Sequence, residues 1–490
     1  MIRMSCRVLV GMLVVLGVWS FGAFAQESKE KPVVEQILDI LLQRGQITQE
    51  EYRSLQEKAR QERAAGVKEP GAAVLAGIER GKPFLKSADD NFRIEFGGRL
   101  HADFAAAEDD TRTLTGPLLG SQFLIRRARV DVDVTFYKWI TAKIQTELTE
   151  GVSLKDAYLD LAFMPELRLR VGQFHVPFSL EEFGTSDNFI DFIERSLVNE
   201  LAPARDRGVK VYGDLLGGII NYQLGGFNGT GEDASDNNGD KDLAFRLALA
   251  PFRASNLFWW KGLQFAGNVT WGNQDGSSSA PGRTIGRTIN RFTFFAPQTT
   301  RGERLRYGGD LAWLIGPASL KFEYDVQTND RDGLGPGGSN LDDVTATGWY
   351  VSGTYVLTGE DKQRSGNVIP RKPFIPFSAQ SGFGAVEVGL RWAELSFDSD
   401  SPVNLFSSSL SPVNIPGGGT TAENGAQSLT LGVNWYFNEW TRAMLNWNYY
   451  WFDNTLGTPF SCQLGACSAA QLRSADKESW EILSRLQVWF

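Results

Sequence analysis

Basic residues at alternate positions are the residues of this chain best suited to chemistry. Arg127 and Arg129 are two positions apart, as are Arg168 and Arg170, and Lys143 lies between these pairs. On an extended strand this spacing places side chains on one face. Guanidinium groups gathered around a narrow aqueous path would stabilise an anion and could bind an oxyanion through two parallel hydrogen bonds. Three further candidates follow in the chain: Arg205, Arg207 and Lys210.

Other kinds of site find little support in the composition. The chain has only two histidines and three cysteines, which argues against a zinc site or a Cys/His nucleophile. The formal net charge is -9, opposite in sign to that of a typical nucleic-acid binder. We therefore expect no metal, no cofactor and no nucleic-acid partner.

The N-terminus has the form of a cleaved signal peptide, residues 1–25. Arg3 and Arg7 precede an apolar run over 8–18, and Ala23-Phe24-Ala25 is a small-x-small cleavage site. The run is short for a membrane-spanning helix, which needs about 20 residues. Cleavage removes two arginines and no acid, so the net charge of -9 becomes -11. Export implies an oxidising compartment, in which Cys462 and Cys467 either form a disulfide or stay as free thiols.

Residues 26–90 are expected to form a periplasmic helical segment and a linker. Apolar residues at helical spacing, among them Leu38 and Leu41, predict a first helix within 33–64. Thr48 and Glu51 form a capping box that starts a second helix. The stretch 66–90, rich in Gly, Ala and Pro, is predicted to be a linker.

From Asn91 onward the pattern changes to strict alternation. Between Phe92 and Phe104, one face is apolar or glycine and the other is polar or glycine, as expected for a strand between lipid and water. A soluble β-sandwich is the alternative, but sixteen strands are many for one sandwich. The predicted strands are 91–104, 123–136, 138–148, 154–163, 166–174, 208–215, 219–227, 242–250, 262–271, 305–314, 318–326, 345–357, 384–396, 428–437, 441–452 and 479–490. Residues 91–490 are therefore predicted to form an all-β, antiparallel transmembrane barrel of about sixteen strands.

The connections alternate between short turns and long polar loops, as in outer-membrane barrels. Two break this rhythm: 149–153 is short for an external loop, and 358–383 is long for a periplasmic turn. The connection 175–207 contains many apolar side chains, which predicts a constriction loop packed on the inner wall. Its charged residues are then expected to reach the eyelet: Glu181, Glu182, Asp187, Asp191, Glu194, Arg195, Arg205, Asp206 and Arg207. The alternative is a loop that covers a subunit contact.

Aromatic residues near the strand ends suit the girdles at the two membrane interfaces. The girdle candidates are Tyr137, Trp139, Trp259, Trp260, Trp313, Trp440 and Trp451. The chain ends on Phe490, on the apolar face of the last strand, which looks like the assembly signal of bacterial outer-membrane proteins.

These stretches resemble a known family, the phosphate-selective porins O and P. The resemblance is densest at Phe92–Asp103 (FRIEFGGRLHAD), Phe123–Val134 (FLIRRARVDVDV), Asp156–Leu161 (DAYLDL), Val171–Phe178 (VGQFHVPF) and Arg205–Asp214 (RDRGVKVYGD). It implies a trimeric outer-membrane barrel of sixteen strands with a loop folded into the pore. It also implies passive diffusion of small solutes, with anions such as phosphate selected by inward-facing basic residues in some members.

Two interpretations of the basic residues stay open. They either make the pore anion-selective, or they pair with carboxylates of the same parity, such as Asp131, Asp133 and Asp160, and leave it weakly selective. Arg126 has the parity of the lipid face, so we expect it near an interface or a distortion of its strand.

Two other classes of protein are weaker candidates. An outer-membrane enzyme needs a nucleophile and a base, and neither His101 nor His175 lies near a serine in a recognisable motif. An adhesin would be dominated by its loops, whereas here the strands are regular and complete.

Overall fold

The computed structural model describes residues 38, 41–64, 74–79, 81–107, 121–149, 151–236, 238–275, 286–289, 293–295, 298–400, 424–453 and 478–490. It divides into two compact units, Met1–Ala72 and Ala73–Phe490. The predicted signal peptide and both C-terminal cysteines, Cys462 and Cys467, lie outside the described residues.

The first unit contains helix α1, Gln49–Ala64. Its N-terminus is the predicted capping box: the Thr48 amide donates to Glu51 Oε2 at 2.8 Å, and the Glu51 amide donates to Thr48 Oγ1 at 3.3 Å. The second predicted helix is thereby confirmed. Residue 38 and residues 41–43 are also helical, where the first helix is expected. Within the described part of the chain, no helix is long and apolar enough to cross a membrane.

The second unit is a closed antiparallel barrel of sixteen strands, as predicted. A hairpin of β1 (Val74–Glu79) and β2 (Lys82–Ser87) precedes the barrel strands, and two short strands, β12 (Gly286–Arg287) and β13 (Thr293–Phe295), lie in the connection between β11 and β14. In chain order, the sixteen barrel strands are β3 (Phe92–Ala107), β4 (Gln122–Phe136), β5 (Ile140–Glu147), β6 (Ser153–Met164), β7 (Leu167–His175), β8 (Arg205–Leu215), β9 (Ile220–Phe227), β10 (Asp242–Leu249), β11 (Leu263–Asp275), β14 (Arg301–Ile315), β15 (Ala318–Arg331), β16 (Leu341–Val356), β17 (Ala385–Asp398), β18 (Asn424–Asn438), β19 (Thr441–Phe452) and β20 (Glu478–Trp489). Each strand pairs with the next, and β20 pairs with β3 from Trp489↔Arg99 to Glu481↔Ala107. This last ladder closes the barrel and leaves no open edge between its first and last strands.

Alternation along each strand separates an outer apolar face from an inner polar one. On β20, Leu486 and Val488 are exposed, whereas Arg485 and Gln487 are buried. Trp139, Trp259 and Trp440 are exposed beside the short turns, where the girdle facing the periplasm is expected.

A β-hairpin occupies part of the predicted linker, so residues 74–79 and 82–87 belong to a sheet and not to a linker. Its strands are β1 (Val74–Glu79) and β2 (Lys82–Ser87), which pair with each other in antiparallel fashion. Strand β2 also pairs with β3, from Phe84↔Glu95 to Lys86↔Arg93. The hairpin therefore joins the barrel sheet. Pairing with β3 stabilises it, since a two-stranded hairpin alone is marginal in water.

The connection 176–204 folds into the barrel and is called the constriction loop below. It contains a π-helix, Ser179–Phe183, and a 3-10 helix, Leu197–Leu201. Its side chains Phe178, Phe192 and Ile193 are at most 2% exposed, and each contributes about 1.5–3 kcal/mol by burial. The prediction that this loop packs on the inner wall is thus confirmed.

Hydrogen bonds from the wall hold the backbone of the constriction loop. The Ile193 amide donates to Asn446 Oδ1 at 2.8 Å, and Arg442 donates to the Ile190 carbonyl at 2.9 Å. These bonds satisfy buried backbone groups that would otherwise be costly inside the barrel.

Two other connections also enter the barrel. Between β11 and β14, the short strands β12 (Gly286–Arg287) and β13 (Thr293–Phe295) pair with each other, and Phe294 and Phe295 are fully buried. In a separate connection, between β15 and β16, a single 3-10 turn spans Pro336–Gly338. The long connection 357–384 brings Lys362 and Val368 into the interior, where both are fully buried.

Candidate functional site: the constriction of the barrel

The register of β3 and β4 gathers basic side chains on the inner wall. Arg99 lies opposite Arg129, and His101 lies opposite Arg127. Like charges placed directly opposite each other are destabilising unless counter-charges lie between them. The cluster therefore needs carboxylates from another part of the chain.

A β-bulge adds Arg126 to the same cluster. The pairing passes from His101↔Arg127 to Ala102↔Ile125, so Arg126 is the extra residue of the bulged strand. Its Nε lies 3.2 Å from Glu194 Oε1 of the constriction loop. The expected distortion is confirmed, and it turns a side chain of lipid-face parity towards the interior.

Asp187 of the constriction loop is the central counter-charge. Its carboxylate lies 2.5 Å from Arg129 Nη1, 2.6 Å from Arg195 Nη2, 3.5 Å from Arg127 Nε and 3.6 Å from Arg99 Nη1. Burial alone would raise the pKa of Asp187, but the four guanidinium groups outweigh it and hold that pKa well below its ordinary value. Asp187 is therefore ionised throughout the neutral range.

Glu194 binds the other side of the cluster. Arg127 donates to both of its carboxylate oxygens, at 2.7 and 2.9 Å, and Arg485 donates to Oε1 at 2.6 Å. Burial opposes ionisation here too, yet Arg127, Arg126 and Arg485 keep the pKa of Glu194 well below its usual value. The loop thus presents two permanent negative charges to a wall of arginines.

Among the residues that the structure describes, the ion-pair cluster has one positive charge more than it has negative charges. Its guanidinium groups belong to Arg99, Arg126, Arg127, Arg129, Arg195 and Arg485, and its carboxylates to Asp103, Glu147, Glu182, Asp187 and Glu194. Two buried donors in it, Arg99 Nε and Arg127 Nε, have no hydrogen-bond partner among the described residues. The cluster therefore keeps donor capacity that its own carboxylates do not use.

Two large cavities meet at this cluster. The inner vestibule has a volume of about 920 Å³ and is bordered by Lys82, Arg99, Asp187 and Trp440, next to the short turns. The outer vestibule, about 510 Å³, is bordered by Arg129 and Glu194 and reaches towards the external ends of the strands. The cluster separates the two vestibules, so it forms the constriction of the barrel.

A smaller cavity of about 220 Å³ lies against the outer side of the constriction. Arg126, Arg127, Arg195 and Arg287 border it, opposed by only two carboxylates, those of Glu194 and Glu200. Among the described residues, the lining of this cavity therefore carries two positive charges more than it has negative charges.

The other predicted basic residues pair with carboxylates along the wall. Lys143 lies 3.2 Å from Asp131 and 3.0 Å from Asp133. Arg168 and Arg170 share Asp160, at 2.6 and 2.7 Å. Among the described residues, Asp160 contacts no arginine of the constriction. The arginines of β4 and those of β7 therefore do not share a carboxylate.

Three predicted residues come from β8, which begins at Arg205, three positions before the predicted strand. Arg205 borders the inner vestibule and donates to Asp156 at 2.7 Å. Arg207 lies at the external end, where its half-exposed side chain is 3.4 Å from Asp233. Lys210 is buried, donates to Gln223 at 2.8 Å and lies 4.7 Å from the centre of the Tyr212 ring.

Several residues of the site were missed by sequence reasoning. Arg99 and Arg485 have the parity of the polar face, and this signal could have found them. Arg195 was not among the proposed pore-lining residues, but it was expected at the eyelet as a charged residue of the constriction loop, and it lies there, 2.6 Å from Asp187. Lys362 comes from the connection 357–384, in which no pattern marks it. Among the described residues, no group of three or more His, Cys, Asp or Glu side chains is placed to hold a metal ion.

Comparison with known proteins agrees with this architecture. Residues 94–457 match the family described as phosphate-selective porin O and P. Porin O of Pseudomonas aeruginosa is 26% identical over 392 residues, covering 72% of this chain and 82% of the relative.

Two solved structures found by comparison are distant in sequence. A loop-deletion mutant of OmpT, an outer membrane protein of Vibrio cholerae, is 12% identical with a TM-score of 0.49, over 82% of this chain and 100% of that one. The outer membrane channel DcaP of Acinetobacter baumannii is 11% identical with a TM-score of 0.46, over 83% and 99%.

The family match covers most of the barrel, including β4 and the constriction loop but not β20. The protein is a channel and not an enzyme, and its place is the bacterial outer membrane. This chain belongs to the phosphate-selective porin O and P family and is an outer-membrane porin.

Proposed function

We propose that this porin conducts small anions, with phosphate and other oxyanions as the preferred class. The observation that carries the proposal is the constriction itself, where six guanidinium groups face five carboxylates. Planar guanidinium groups suit oxyanions because they donate two parallel hydrogen bonds.

The anion would pass from one vestibule to the other by exchanging partners with the loop carboxylates. Asp187 already contacts four arginines. A passing anion competes with Asp187 for the same guanidinium donors. It does not meet unpaired guanidinium groups, which would bind it strongly. Partial neutralisation of this kind keeps binding weak enough for release, which conduction requires.

A weakly selective pore is the second candidate, and the charge balance of the inner vestibule favours it. Among the charged residues bordering that cavity, five cations face five carboxylates when histidine is neutral. The cations are Lys82, Arg99, Lys143, Arg195 and Arg205, and the carboxylates are Asp131, Asp156, Glu182, Asp187 and Glu439. On this alternative, the basic residues brace the barrel wall.

Ion selectivity of the purified protein in a planar bilayer distinguishes the two candidates. Under a KCl gradient, the anion proposal predicts a reversal potential of anion-selective sign, reduced when phosphate is added as a competitor. A cation-selective sign refutes the proposal. A reversal potential close to zero favours the weakly selective pore.

We also propose a homotrimer in the outer-membrane lipid, the assembly that the family resemblance implies. Residues 1–25 would be removed on export, and residues 26–90 would lie in the periplasm. The mass of the detergent-solubilised protein before and after heating tests the assembly, and N-terminal sequencing tests cleavage before Gln26. A monomeric mass would contradict the homotrimer, and an intact leader would contradict cleavage.

The pore-lining set proposed from the sequence remains Arg127, Arg129, Lys143, Arg168, Arg170, Arg205, Arg207 and Lys210. Cys462 and Cys467 are proposed to form a disulfide in the last external loop. Quantitative alkylation of both thiols without reductant would reject this bond. Its loss should leave the barrel intact, since closure depends on the β20–β3 ladder.

A further inference from the structure

The N-terminal hairpin completes the barrel wall where the last strand stops. Strand β20 pairs with β3 only from Arg99 onward, and Phe490 adds one further contact at Gly98. The preceding part of β3 would have one free edge at the periplasmic end. Strand β2 occupies that edge, with Phe84 opposite Glu95. The hairpin is thus part of the wall around the periplasmic mouth.

Lys82 lies at the start of β2 and borders the inner vestibule. Its Nζ is 3.3 Å from Asp133 and 3.5 Å from Asp131, and one third of its side chain is exposed. Lys143 contacts the same two carboxylates from β5. Two ammonium groups therefore balance two carboxylates, and one of those ammonium groups comes from outside the sixteen strands.

We propose that Lys82 is a selectivity-determining residue of the pore, supplied to the periplasmic mouth by the N-terminal hairpin. Without its charge, Asp131 and Asp133 face Lys143 alone, and the group carries a net charge of -1. A negative charge at the mouth repels anions and attracts cations that lie within a Debye length, about 8 Å at physiological salt. The proposal requires an open pore and does not depend on which ion the constriction prefers.

Charge changes at Lys82 should change ion selectivity in a graded way. We expect Lys82→Gln to lower the ratio of anion to cation permeability by about two- to fivefold at low salt, and Lys82→Glu to lower it further. Lys86→Gln is the matched control. Lys86 is in the same hairpin, but its Nζ pairs with Asp90 at 3.0 Å and it does not border the cavity.

Side-specific modification of a full-length Lys82→Cys variant tests the location directly. A positively charged methanethiosulfonate added on the periplasmic side should restore the wild-type permeability ratio, and a negatively charged one should lower the ratio further. Addition on the external side should act more slowly, because the reagent must first cross the constriction. The wild-type protein treated in the same way reports any reaction at Cys462 or Cys467.

Two results would overturn the inference. One is an unchanged reversal potential in folded, inserted Lys82→Gln and Lys82→Glu channels. The other is complete modification of Lys82→Cys, verified by mass, without a change in permeability ratio. An equal shift in the Lys86→Gln control would also count against it. A cation-selective wild type would refute the anion proposal while leaving the effect of Lys82 measurable.

Discussion

Replacing Asp187 with asparagine tests whether the loop carboxylate limits the positive charge of the constriction. The substitution keeps the size of the side chain and removes one negative charge. The cluster would then have six guanidinium groups against four carboxylates. We expect the channel to become more anion-selective, since its net local charge rises from +1 to +2.

Coulomb's law gives the size of the effect. A unit charge about 6 Å from a monovalent ion contributes about 0.7 kcal/mol in a water-like dielectric. An anion gains this amount and a cation loses it, so the two differ by about 1.4 kcal/mol. That difference is about tenfold in the ratio of anion to cation permeability. Screening reduces the effect at high salt.

The constriction loop should stay in place in this variant. Breaking a buried ion pair costs about 3–5 kcal/mol, but other contacts still hold the loop. Glu194 keeps its two hydrogen bonds from Arg127, and Asp191 keeps Lys321 at 2.9 Å and Lys362 at 2.7 Å. The reversal potential therefore reports charge rather than loss of the loop.

The assay is the reversal potential of single channels under a salt gradient, together with their conductance. Asp233→Asn is the matched control, because Asp233 is half-exposed at the external end and pairs only weakly with Arg207, at 3.4 Å. A shift towards cation selectivity in Asp187→Asn, or no shift at all, would refute the reasoning. A large rise in conductance would indicate that the loop has left the barrel.

The double variant Arg127→Gln/Arg129→Gln should move the reversal potential towards zero while the barrel stays folded by circular dichroism; an unchanged potential contradicts the role of these arginines. Lys362→Met removes a fully buried ammonium group and should weaken loop docking by about 3–5 kcal/mol. It should therefore increase current noise, whereas the exposed Lys372→Met should not. The pKa values of Asp187 and Glu194 are both depressed in the folded protein. The stabilisation from these two carboxylates is therefore present above about pH 4 and is lost as the pH falls below that value, through their folded-state pKa values. Asp187 and Glu194 should thus contribute the same charge from about pH 5 to 8, and a pH-dependent change of selectivity within that range that Asp187→Asn abolishes would contradict those shifts. Deleting Phe490 or changing it to aspartate should reduce insertion into the outer membrane, and normal surface levels of either variant would argue against an assembly role.

The strands could be predicted because each alternates between lipid and an aqueous interior. That physical requirement acts on every residue from Phe92 to Ala107, for instance, and therefore leaves a periodic signal. The hairpin Val74–Ser87 was missed because its composition resembles a linker and its stability depends on pairing with β3. The constriction loop was predicted from its apolar residues. Their side-chain types are read directly from the sequence, and a loop exposed to water seldom contains so many of them.

Ion pairing in the constriction could not be predicted in the same way. Arg127 and Glu194 are separated by 67 positions, and nothing in strand periodicity says which loop carboxylate meets which arginine. Arg126 depends on a β-bulge, which reverses the parity of the residues beyond it. The basic wall and the charged loop were therefore predictable, whereas the individual ion pairs between them were not.

The acidic total of the chain and the positive constriction are compatible because selectivity depends on local charge. Charges on exposed loops beyond about 8 to 10 Å from the ion are screened. The residues that matter are those of the constriction, where Asp187 and Glu194 come from one loop and their arginine partners come mainly from the wall. A wall of cations and a loop of anions can be varied independently in sequence. Changes in the loop alone can therefore adjust the net charge of the narrowest region while leaving the sixteen-stranded barrel unaltered.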